Sequence, residues 1–285
     1  CSGGAVFHRG MSDAPTEAPT ETVFRSDLLK GQAALVTGGG SGIGEGIAMR
    51  LAEQGAKVAL VGRTKEKLDR VAAAITAAGG EAAVFAADVR DYAAVSGAIN
   101  ETAARFGRLD IVVASAAGNF LAPAATLSAN GFRTVIDIDL CGTFNAARAA
   151  FEHLVKTRGS ILSITATQAE VPTPLQCHAG AAKAGIAKLT KDLALEWGRF
   201  GVRVNAVAPG PIGGTEGMTR LAPGDSKDQL MKRVPLQRYG TIFEICEAVT
   251  YLVSPAGRYV TGATLLIDGG TSLLGAGPFL DMMGL

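Results

Sequence analysis

Charged side chains are scarce in this sequence, 19% of 285 residues, and aromatic ones scarcer still at 6%. The charges also nearly cancel, 27 Lys and Arg against 26 Asp and Glu, which leaves a formal net charge of +1. Such a chain has no long-range field to draw nucleic acid or an anionic membrane, so neither is an expected partner. Any anionic ligand must be held by local groups. Cys1, Cys141, Cys177 and Cys246 form no C-x-x-C pair and no compact framework, which points to reduced thiols in a cytoplasmic protein. The three histidines, His8, His153 and His178, are too scattered in sequence to suggest a metal site. No apolar run approaches the ~20 residues that cross a bilayer.

Core material, by contrast, is plentiful. Hydrophobic residues make up 48% of the chain, which excludes a disordered class, and the length suits one large α/β domain. Residues 1–25 are rich in Gly, Pro and Thr with little hydrophobic pattern. They are expected to be a disordered arm or an upstream remnant, with Met11 a candidate start, ahead of a single domain over 26–285.

Apolar, β-branched runs alternate with Ala-rich helical stretches along that domain. Strands are expected at Ala33–Val36, Lys57–Val61, Glu81–Phe85, Asp110–Val113, Gly159–Ile164, Arg203–Val207 and Thr264–Ile267. Helices are expected at Ile43–Gln54, Lys65–Ala78, Tyr92–Phe106, Asn130–Val155, His178–Gly198 and Phe243–Val253, with Gly55 and the Gly79-Gly80 pair as stops. This rhythm predicts a Rossmann-like, doubly wound parallel sheet of about seven strands with helices on both faces. Right-handed crossovers make the carboxyl ends of the strands the ligand edge. Pro209–Tyr239 breaks the rhythm, being long and dense in Gly, Pro and charge. It reads as a substrate lid, with a disordered insertion as the alternative.

Thr37-Gly38-Gly39-Gly40-Ser41-Gly42-Ile43-Gly44 lies between the first expected strand and helix. Glycines there allow a tight turn and close backbone approach, and helix N-terminal amides favour a diphosphate. The spacing is T-G-x-x-x-G-x-G rather than G-x-G-x-x-G. With that spacing the chain resembles the short-chain dehydrogenase/reductase family from about Leu28 to Gly270. Asp88-Val89 matches the family's adenine-contacting pair, Ser115-Ala116-Ala117-Gly118 stands where N-N-A-G is usual, and Pro209-Gly210 follows strand six. The resemblance implies a seven-stranded sheet and a homotetramer. It also implies a nicotinamide cofactor held by Gly38, Ser41, Gly42, Ile43, Gly44, Arg63, Thr64, Asp88, Val89, Ala117, Gly118, Lys183, Pro209, Gly210, Ile212 and Thr215.

The second strand selects between cofactors. It ends Val61-Gly62-Arg63-Thr64, without the carboxylate that would bond the ribose hydroxyls of NAD. Arg63 can fork onto a 2′-phosphate, so NADP(H) is expected. The alternative is a solvated surface arginine.

The family's Y-x-x-x-K motif keeps its lysine at Lys183 and has Ala179 in place of the tyrosine. The serine position reads Ala166 and the helix-four asparagine position reads Asp139. Loss of the general acid disfavours carbonyl reduction by roughly 10²–10⁴ in rate. Reduction of a C=C bond conjugated to a thioester asks instead for hydrogen-bond donors at the thioester oxygen. A closer resemblance agrees. Ala116–Phe120, Asp137-Ile138-Asp139, Ile164–Thr167, His178-Ala179-Gly180 and Pro209–Gly217 look like 2,4-dienoyl-CoA reductases of the peroxisomal type. Gln168 stands where the mitochondrial type has a tyrosine, and the terminal Met283-Gly284-Leu285 is no S-K-L-like address.

On this resemblance Lys183 bonds the nicotinamide ribose, and Asn119 donates to the thioester oxygen or only shapes its turn. Asp139 positions or protonates a water, or is a structural carboxylate, with Asp137 its competitor. Arg90, Phe120, Ser128, Asn130 and Arg220 are candidate contacts for the acyl-CoA partner. His178 is expected to pack or to form a pocket wall. Rival readings are a reductase of another enoyl or carbonyl substrate and a catalytically silent NADP(H)-binding sensor or scaffold.

Overall fold

The computed structural model describes residues 24–215, 231 and 233–276. Residues 1–23 of the expected arm, Arg220 and most of the expected lid segment lie outside the described residues. Seven strands form one parallel sheet in the order β3-β2-β1-β4-β5-β6-β7. They are β1 (Ala33–Thr37), β2 (Lys57–Gly62), β3 (Ala82–Ala86), β4 (Ile111–Ala114), β5 (Ser160–Ile164), β6 (Arg203–Pro209) and β7 (Thr264–Ile267). The expected strands all form, and β3, β4 and β5 each begin one residue later than expected. Asp110, for example, lies just outside β4, where its carboxylate accepts from the Ala33 amide at 2.9 Å and joins β1 to β4.

Sequence order reverses between β1 and β4, so the crossovers leave on opposite faces and a crevice opens at the carboxyl edge. All five residues of β1 and all four of β4 are buried, as a sheet covered on both faces demands. One face carries α1 (Gly42–Glu53), α2 (Lys65–Ala77) and a late helix, α7 (Ile242–Val253), through Ile47, Leu51, Val71, Ile245 and Val249. The other carries α3 (Tyr92–Phe106), α5 (Gly142–Thr157) and α6 (Cys177–Trp197), through Ile99, Phe106, Leu154 and Trp197. Gly55 and Gly79 adopt φ of +90° and +86°, so both stop helices as their sequence positions suggested.

The expected helix Asn130–Val155 is not uniform. It comprises α4 (Ala129–Ile136), a π turn at Asp137–Cys141, and α5. The wider turn brings the consecutive residues Ile138 and Asp139 both to the crevice. After β6, the Pro209–Tyr239 segment is pinned at its base. Ile212 pairs with Gly240 in an isolated parallel bridge, and the Gly213 amide donates to the Gly240 carbonyl at 2.9 Å.

Candidate active site

A cleft of about 720 Å³ lies at the carboxyl edge of the sheet. Its floor is the glycine turn between β1 and α1. Gly38 has φ +69°, and a Cβ there would lie 2.9 Å from the Ala116 backbone; a Cβ on Gly44 would collide with the Gly38 carbonyl. Only glycines permit this approach of β1 to the β4 loop. The Thr37 hydroxyl fixes the same junction, accepting from the Ser115 and Ala116 amides at 3.1 and 3.3 Å. Ser41 caps α1 by position, yet its side chain bonds none of the first-turn amides. Those amides and Gly42, at φ +56°, form a cradle of the shape and polarity that a diphosphate requires.

Every expected cofactor residue except Gly118 lines this cleft. Gly118 sits one step behind, where its amide donates to Asp139 at 2.7 Å. Arg63 and Thr64 stand at the end of β2, with Lys67 one helical turn on. Asp88 is engaged by Arg90 through a fork at 2.6–3.1 Å. That hydrogen-bonded guanidinium holds the Asp88 carboxyl below the usual carboxylate range, with Arg63 adding a smaller attraction.

Among the polar residues that line the cleft, Asp139 is the least exposed, at 1%. One of its oxygens takes the Gly118 amide, and the other lies 3.0 Å from Lys183 Nζ. Lys183 also donates to the Ile164 carbonyl at 3.1 Å, while its own carbonyl accepts from the Thr165 hydroxyl at 3.0 Å. An ammonium and a carboxylate so enclosed are tolerable only because each neutralises the other. Ala179, at the tyrosine position, is a buried methyl packed with Val135 and Ala182, and Ala166 brings no hydroxyl either. Asp137 is not in the cleft wall. It faces Arg90 and the Cys141 thiol, whose pKa burial raises first and Asp137 second.

Three amides complete the wall. Gln176 Oε1 accepts from Asn119 Nδ2 at 2.6 Å and from Gln168 Nε2 at 2.9 Å. Sequence reasoning missed Gln176, and treated Gln168 only as a departure from a tyrosine. The candidate acyl-CoA residues do not converge in the same way. Phe120 is half-exposed and packs on the His178 ring at 4.5 Å, Ser128 caps α4 by accepting from the Gly131 amide at 3.0 Å, and Asn130 is exposed in that helix. None of these, nor Arg90, lines the cleft. His178 is fully buried, as a packing residue should be, although no described residue bonds its ring nitrogens. Among the described residues no cluster of acidic, His or Cys side chains could hold a metal, and no helix is long and apolar enough to cross a membrane.

A model of the enoyl-(acyl carrier protein) reductase family matches residues 38–272, from the glycine turn to past β7. The chain belongs to the short-chain dehydrogenase/reductase family. Among its relatives, the (3E)-enoyl-CoA-producing peroxisomal 2,4-dienoyl-CoA reductase of Saccharomyces cerevisiae is 45% identical over 260 residues, 90% of this chain and 89% of that protein. The protein of the same description from Arabidopsis thaliana is 43% identical over 88% and 87%. Among solved structures, the citronellol catabolism dehydrogenase of Pseudomonas aeruginosa is 40% identical with a TM-score of 0.79, covering 88% of this chain and 99% of that one. A 3-ketoacyl-(acyl-carrier-protein) reductase of Brucella melitensis, complexed with NADH, is 31% identical with a TM-score of 0.80 over 86% and 99%. Short-chain dehydrogenase/reductase membership accounts for the sheet order, the glycine turn and Lys183. It does not by itself account for Ala179 and Asp139.

Proposed function

We propose that the protein reduces 2,4-dienoyl-CoA to a (3E)-enoyl-CoA with NADPH, in the degradation of unsaturated fatty acids. The observation that carries this is a cleft whose lysine is ion-paired to a buried aspartate while the tyrosine position is a buried methyl. A ketone would need an acid at its oxygen, and the described wall offers none at that position. A dienoyl thioester needs hydrogen added at C2 and C5, with the remaining double bond moved to C3. When bound, the reduced nicotinamide supplies the hydride.

The chain's own groups serve the remaining needs. The amides of the glycine turn hold the diphosphate, and Arg63 binds the 2′-phosphate that a carboxylate at the end of β2 would repel. Asn119 donates to the thioester oxygen, where negative charge develops. Asp139 positions the proton that C2 receives, and Lys183 pairs with that carboxylate at 3.0 Å and bonds the ribose. The relatives named as dienoyl-CoA reductases support the same substrate class. A cytoplasmic location and a homotetramer belong to this proposal too, the latter checked by sedimentation velocity.

Steady-state turnover of 2,4-hexadienoyl-CoA tests the reading. Turnover with NADPH well above that with NADH is expected, and Arg63→Ala should raise the NADPH KM about 10-fold or more while leaving NADH nearly unchanged. Preference for a ketone substrate, or NADPH binding without any turnover, would discard it.

A further inference from the structure

The three amides of the cleft wall share one oxygen. Asn119 and Gln168 each direct an N–H at Gln176 Oε1, at 2.6 and 2.9 Å. Each NH₂ group has two hydrogens, so each keeps one after that bond. Their nitrogens, both tied to a single atom, are close enough together for one further oxygen to accept from both.

The three amide orientations are coupled. Asn119 Oδ1 is buried without a partner among the described residues, a cost that an amide normally avoids by turning over. Turning Asn119 over alone would instead set its oxygen against Gln176 Oε1 at the present 2.6 Å, so the three amides can turn only together. Gln176 is in turn held by its own backbone. It is 7% exposed and N-caps α6. Leu175 before it adopts φ +65°, a conformation that a leucine enters only under constraint. The Leu175 carbonyl is tied to the Ala122 amide at 2.9 Å, which joins this segment to the loop that carries Asn119.

We propose that Gln176 is a positioning residue: its side-chain oxygen aims the amides of Asn119 and Gln168 so that their remaining N–H groups form a two-donor clamp for the thioester oxygen. This rests on the dienoyl-CoA reading above. It gives Gln168 a catalytic role and Gln176 an indirect one, in a cleft that lacks both hydroxyl positions of its family.

Purified parent and variant enzymes are compared with 2,4-hexadienoyl-CoA and NADPH. Gln176→Leu, which keeps bulk and loses the acceptor, should lower kcat about 100-fold with little change in KM or NADPH affinity. Gln168→Leu should lower kcat comparably, and the double variant should fall little further, because the two changes remove one device. Gln176→Glu keeps an acceptor but adds charge beside the oxygen that becomes negative. Its kcat should recover toward the parent as pH falls from about 8 to about 5, where a buried carboxyl takes up its proton, while the parent shows no such rise. A Gln176→Leu enzyme within twofold of the parent in kcat would overturn the clamp. So would fully additive losses, a Gln176→Glu pH profile matching the parent's, or NADPH affinity lost in step with kcat. A parent that leaves the dienoyl thioester untouched would instead remove the reading on which the clamp rests.

Discussion

Ala179 and Asp139 occupy positions where a hydroxyl and a neutral amide are usual in the family the chain resembles, and the two changes fit each other. A neutral asparagine could not balance Lys183, and with no tyrosine on the same helix face the lysine's nearest polar neighbours are the carboxylate at 3.0 Å and a backbone carbonyl. In the proposed reaction Asp139→Asn should therefore reduce kcat roughly 10²–10⁴-fold. It should also destabilise the protein by about 3–5 kcal/mol, because it strands a buried ammonium. Thermal unfolding with and without NADPH, beside single-turnover kinetics, separates the two effects; unchanged turnover and pH profile would remove Asp139 from the chemistry. At this scale the sequence was only partly legible. Asp139, Lys183 and the glycines stood at fixed spacings from a motif, so their convergence could be expected. Gln176 could not, since a glutamine between Leu175 and Cys177 looks like any solvated loop residue. Its burial follows from a left-handed Leu175, which no pattern announces.

The seven strands were readable because each is a short apolar run closed by turn residues and covered on both faces. Helix interiors were readable for the same reason, but their irregularities were not. The π turn at Asp137–Cys141 leaves the apolar periodicity of its neighbours intact, so 130–155 looked like one helix. Helix α7 illustrates a terminus whose chemistry is explicit. Thr241 and Glu244 form a reciprocal capping box, and Arg238 forks onto the Glu244 carboxylate at 2.7 and 3.0 Å. The Arg238 hydrogen bonds hold the Glu244 carboxyl below the usual range, against a burial effect that would raise it. A carboxyl depressed by folding stabilises the fold above its unfolded pKa of ~4.3 and ceases to do so as pH falls through the lower folded value. Glu244→Gln should thus cost about 1 kcal/mol at neutral pH. Its urea midpoint should converge on the parent's in acid, and a gap that persists below the carboxylate range would contradict this account.

Over the whole molecule, the two cores share one sheet, and opening either exposes the other. Cys246 reports on that cooperation. It is buried between α7 and α1, and burial pushes its thiol up to about 12, whereas Cys141 and Cys177 are exposed. Alkylation at about pH 8, followed peptide by peptide by mass spectrometry, should mark Cys177 well before Cys246. Saturating dinucleotide at about 100 times its Kd should slow Cys246 labelling a further ~100-fold, because only the closed sheet binds it. Equal rates at the two thiols would mean that α7 opens independently.

The strand order also bears on how the chain is made. β2 and β3 follow β1 closely and can pair as they leave the ribosome, but the other side of β1 waits for β4, whose Ile111 lies opposite Ala34. Until then the edge of β1, apolar but for Thr37, stands open in the nascent chain, with backbone donors and acceptors able to recruit another strand. Synthesis that stalls ahead of Asp110 would release a fragment with that edge uncovered and prone to aggregate.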